Sequence, residues 1–78
     1  MKYIVINADG DLPAAILFNE VLQHKAVAAG RKVLGAGFCN ARGQVWGHSE
    51  SLGVESRKED AMHVKLAFTF TMHENFAA

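Results

Sequence analysis

Excess charge of either sign is the first thing this chain lacks. Eight Lys and Arg residues balance eight Asp and Glu residues, scattered over 78 positions. A neutral domain has no electrostatic pull toward a phosphate backbone, which argues against nucleic acid as a partner. Cysteine is almost absent as well. The single Cys39 can close no disulfide within the chain, and no cluster of spaced Cys and His ligands stands in for one. No metal and no cofactor is therefore expected. Apolar runs never approach the ~20 residues of a membrane-spanning helix. Met1 leads straight into a strand-like segment, without the basic flank, apolar stretch and cleavage site of a signal peptide. A lone unpaired thiol then fits a reducing compartment, and the expectation is a cytoplasmic protein.

What is present is apolar surface in a short chain. Half of the residues are hydrophobic, too many for a disordered segment. A chain of this length buries only about 60% of its unfolded surface, so one small domain over 1–78 would be marginal alone. Self-association is a common remedy when disulfides and metals are missing. A homodimer is accordingly expected.

The most informative stretch is VLGAGFCNARGQVWGHSESL, from Val33 to Leu52. Two alternating segments flank a turn, the pattern of a β-hairpin. Asn40 and Gly43 stand at the first and fourth turn positions, which fits a type I turn ending in a left-handed glycine. That register sets Phe38 opposite Trp46, Ala36 opposite His48 and Leu34 opposite Glu50. The other face carries Gly35, Gly37 and Cys39 and is nearly bare, a surface suited to a closely packed helix.

Before the hairpin, Tyr3-Ile4-Val5-Ile6 reads as a strand buried on both faces. Asp9-Gly10 signals a turn, Asp11 stands as a helix N-cap, and Pro13 falls in the first helical turn. A helix is drawn from Leu12 to Ala29, stopped by Gly30, with Lys25, Arg31 and Lys32 at its negative end. On that helix Ala14, Phe18, Val21, Leu22 and Ala29 form the apolar stripe. Ile16 and Val27 fall among Asn19, Glu20, Gln23 and His24, as spare apolar surface.

After the hairpin, Ser56 and Glu59 make a capping box for a helix from Arg57 to about Ala67, followed by a loosely ordered tail from about residue 69. Val64, Leu66, Phe68, Phe70 and Met72 also alternate like a strand. The fold is thus expected to be α+β in the order β-α-β-β-α. The alternative is a βαββαβ ferredoxin-like fold with a C-terminal strand over 64–72.

Chemistry-bearing residues are few. Asn7 to Asp11 joins a strand to a helix, but one glycine and two carboxylates do not make a phosphate loop. His48 and Glu50 alternate on one strand beside Trp46, as a base and its orienting carboxylate would. A third metal ligand among His24, His63 or His73 has no recognised spacing. Cys39 has no neighbouring base to activate it, and a buried thiol is the commoner state. Arg42, Arg57 and Lys58 could touch phosphates beside Phe38 and Trp46, without the positive surround such sites need.

Two functions follow as expectations. The first is a small non-catalytic protein-interaction module acting as a homodimer through Ile16, Val27, Phe38 and Trp46. The alternative is a small-molecule-binding protein or enzyme using Phe38, Trp46, His48 and Glu50 on one sheet face.

Overall fold

The computed structural model describes residues 1–7 and 12–77, with 70–77 described as backbone only. The expected Asp9-Gly10 turn and Asp11 cap lie outside the described residues, as does the side chain of His73. Tyr3 to Ile6 forms the middle of β1, Lys2–Asn7, and is buried on both faces as its composition requires. A central strand needs a partner on each side. One is β3, Val33–Cys39, and the other is β2, Pro13–Phe18.

That second partner overturns the helix from Leu12 to Ala29. Residues 13–18 pair antiparallel with β1, Lys2 opposite Phe18 and Asn7 opposite Pro13. The misleading feature is that both faces of this strand are apolar. Ala15 and Leu17 pack on one core cluster while Ile16 and Phe18 pack on the other, so alternation in polarity is invisible. Helix survives only as α1, His24–Ala28. It stops where expected, with Ala29 left-handed at φ 51° and Gly30 next, and Arg31 donates from its guanidinium to Ala28 O and Val27 O.

β3 turns back through the anticipated hairpin into β4, Val45–Trp46. Asn40 Oδ1 accepts from Arg42 N and Gln44 N at 3.0 and 3.1 Å, and Gly43 N donates to Asn40 O at 3.0 Å. Gly43 sits at φ 81°, which a side chain would resist. Phe38 faces Trp46 and Cys39 faces Val45, as expected. The ribbon then ends. Gly47 at φ 76° turns the chain away, so the anticipated Ala36–His48 and Leu34–Glu50 pairs do not form. His48–Ser49 becomes β5 and pairs with β6, Val54–Glu55.

The main sheet is antiparallel in the order β2-β1-β3-β4. Its last cover is α2, Asp60–Ala77. This helix excludes a strand over 64–72, begins three residues after the expected Arg57 and continues past Ala67. Val64 and Phe68, one turn apart, reach the Tyr3, Val5 and Cys39 cluster, whereas Leu66 between them is 52% exposed. A strand would have buried all three together. Of the expected loose tail from about residue 69, Thr69 is helical and donates to Lys65 O at 2.9 Å, and the positions after it have no described side chains. The helix start is organised by Asp60, not by Ser56 and Glu59: its Oδ2 accepts from Arg57 N at 2.8 Å. The fold is α+β, but in the order ββαββββα rather than βαββα. α2 covers one sheet face. α1 with the β5–β6 arm covers the other, where Ala28 of α1 packs with Ile4, Ile6 and Ala36.

Candidate functional site

On the α1 side of the sheet lies a cavity of about 410 Å³ lined by Lys2, Gln23, His24, Phe38, His48, Glu50 and Ser51. Four separate pieces of chain meet there. β1 brings Lys2, whose Nζ donates to Leu22 O at 2.9 Å and so ties the strand start to the turn before α1. That turn forms because Asn19 Oδ1 accepts from Val21 N and Asn19 O from Leu22 N. It delivers Gln23 and then His24, the first residue of α1.

His24 is only 3% exposed and is fixed in three ways. Its Nε2 lies 2.9 Å from Gly37 O, and its ring meets Phe18 and Phe38 edge-on, with centroids 5.4 and 6.1 Å away. Phe38 in turn is stacked on Trp46, at 6.5 Å and 19° between planes. The fourth piece is the turn after β5. Ser49 is buried and its Oγ accepts from Leu52 N at 3.2 Å, while Ser51 Oγ accepts from Lys25 N at 3.1 Å. These bonds clamp the arm against α1, with exposed Glu50 and His48 at the rim.

Of the four ligand-binding candidates from the sequence, Phe38, His48 and Glu50 line this cavity. Trp46 does not. Its indole lies on the Phe38 ring and is 48% exposed. Of the interface candidates, Ile16 and Val27 are half-buried against the Ile4, Ile6, Ala28 and Ala36 cluster. Sequence reading missed Lys2, Gln23, His24 and Ser51. His24 was read as the polar side of a long helix, and nothing local in the sequence marks it as buried.

A second polar cluster lies in the other layer, buried at Tyr3 and Asp60 and part-exposed at Arg57. Tyr3 donates to Asp60 Oδ2 at 2.6 Å, and Arg57 Nε and Nη2 reach Asp60 Oδ1 at 3.0 and 2.8 Å. Burial, and then the Asp60 carboxylate, push the Tyr3 hydroxyl far above its ordinary 10.0. Tyr3 and Asp60 are fully buried and, among the described residues, no buried side-chain nitrogen or oxygen lacks a partner, so the cluster fastens the start of α2 to β1, with the Arg57 guanidinium part-exposed at its edge. Cys39 is buried beside it, and desolvation raises its thiol too, the opposite of an activated nucleophile.

Among the described residues no three His, Cys, Asp or Glu side chains come close enough to hold a metal ion, and no helix is long and apolar enough to cross a membrane. Comparison with protein families, with characterised proteins and with solved structures finds no match to this chain.

Proposed function

We propose that this chain is a small-molecule-binding domain whose site is the cavity between α1, β3 and the β5–β6 arm. The observation that carries the reading is the convergence of Phe38, His48 and Glu50 with the buried His24 around one concavity. Its volume is within the range of ligand clefts, and its lining is more polar than theirs usually is, with Phe38 the one apolar side chain among seven. A cytoplasmic setting accords with the unpaired, buried thiol of Cys39. The test is amide NMR of the full chain against a library of small polar fragments. Binding should perturb Lys2, His24, His48 and Ser51 together. If no fragment perturbs that set, or if changes fall elsewhere, the reading fails.

A homodimeric interaction module is a second reading, favoured by a different observation. β2 is an outer strand of the sheet, and its outward backbone groups meet no partner among the described residues. Its sequence, PAAILF, bears no charge to keep a second strand away. Two copies paired along β2 would satisfy those groups symmetrically. Light scattering on the eluting protein decides this: a mass near twice 8.5 kDa supports it, and a monomer at high concentration removes it.

A further inference from the structure

The ligand chemistry of the cavity follows from His24, on the reading that the cavity is a binding site. A carbonyl oxygen only accepts hydrogen bonds, so the contact with Gly37 O assigns the proton to Nε2. In the neutral ring Nδ1 then keeps its lone pair. Among the described residues nothing donates to Nδ1, and since no sealed side-chain nitrogen or oxygen lacks a partner there, Nδ1 is open to solvent; the ring lines the cavity. His24 is thus a nearly buried side chain with one acceptor spare and one open direction.

The surroundings narrow what can answer it. The walls carry one cation, Lys2, and one anion, Glu50. For a ligand of either net charge the attraction to one is offset by the repulsion from the other, so a molecule without net charge is matched best. Lys2 uses one of its three N–H donors on Leu22 O and can turn another toward an acceptor, as can the Gln23 amide. Phe38 gives the cavity an aromatic wall that favours a flat ring. We infer that the cavity takes an uncharged planar heterocycle with an N–H beside a carbonyl, the edge of a free nucleobase or cyclic imide, whose N–H is donated to His24 Nδ1.

The test uses the full chain with two probes, uracil and N,N′-dimethyluracil. They share the ring and both carbonyls, but the second has no N–H. Nitrogen NMR of the imidazoles should first find His24 as the Nε2–H tautomer in the free protein. Uracil should then shift the His24 Nδ1 signal together with Ser51 and Phe38. The dimethyl analogue should bind at least roughly tenfold more weakly, since it leaves a confined acceptor unmatched. An Nδ1–H tautomer, equal binding of the two probes, or no response to uracil overturns the inference. If other fragments still perturb Lys2, His48 and Ser51, the cavity reading stands without it. If nothing perturbs them, the cavity reading falls as well.

Discussion

Gly35 is the position where a single methyl group should do most harm. It lies on β3 directly under the Asp60 carboxylate, and a Cβ built there would come within 2.7 Å of Asp60 Cγ and Oδ1, with Oδ2 closer still. Ordinary contact begins at 3.4 Å, so the carboxyl carbon must retreat by 3.4 − 2.7 = 0.7 Å or β3 must move. Asp60 is not free to retreat. It is fully buried and holds four bonds of 2.6 to 3.0 Å, from Tyr3 Oη, Arg57 N, Arg57 Nε and Arg57 Nη2. A displacement of that size pushes several of them beyond hydrogen-bonding distance.

Bonds to a charged group contribute about 1.5–3 kcal/mol each, and overpacking a tight site costs about 1–3 kcal/mol. Against these, alanine in a strand recovers about 0.5–1 kcal/mol relative to glycine. The net expectation for Gly35→Ala is a loss of about 3 kcal/mol, dominated by the carboxylate bonds. For a domain of this size that lowers Tm by roughly 12–24 °C. Urea denaturation followed by circular dichroism, with thermal melts alongside, measures both. If the clash with Asp60 is the cause, Gly35→Ala should cost much less in an Asp60→Ala background. A single variant within about 0.5 kcal/mol of the parent would refute the reasoning, because it would mean that the carboxylate is not held where its bonds place it.

Two further outcomes follow from the same contacts. Tyr3→Phe should lose about 1.5–3 kcal/mol near neutral pH, from the hydroxyl bond to a charged acceptor. The raised Tyr3 value makes that stabilisation complete below the unfolded-state 10.0 and subject to loss as pH rises above it, since only the unfolded chain then releases the proton. The gap between parent and variant in urea midpoints should therefore narrow toward about pH 11, and a constant gap would contradict it. Trp46→Ala removes a half-exposed ring stacked on Phe38, which in a monomer costs only about 0.5–1.5 kcal/mol beyond its buried area. If the ring anchors a dimer instead, the Tm of the parent rises with protein concentration and that of the variant does not.

The parts of the fold legible in the sequence are those decided by neighbours in the chain. The Asn40 to Gly43 turn needs one side-chain acceptor and one left-handed glycine, both written within four residues. The end of α1 at Ala29-Gly30 is equally local. β2 was hidden because its state is decided by β1, which demands a second partner. A segment with apolar residues on both faces has no period to read, and the Asp11-Pro13 start pattern tipped it toward helix. α2 was ambiguous for a related reason. Val64, Leu66 and Phe68 alternate as a strand while Ala61, Val64 and Phe68 make a helical stripe, and only the position of the Tyr3–Cys39 cluster decides that Leu66 faces outward.

The cavity was half legible for a reason that ties it to Gly47. Phe38, His48 and Glu50 were grouped on the assumption that the ribbon continues past Trp46 with side chains alternating. At Gly47 it does not: the left-handed backbone redirects the chain, and Phe38 Cδ2 would lie 2.9 Å from a Cβ at that position. An unbroken strand would have laid His48 and Glu50 flat beside Ala36 and Leu34. The break instead starts a second small sheet that folds over the main one, and Ser49 and Ser51 pin the returning turn, the latter to α1. The cavity lies between this turn and the main sheet, and His24 enters it from α1. The interruption that defeats the sequence register is thus what makes the surface concave. The candidate residues come together because their strand ends, which a reading based on regular alternation has no means to anticipate.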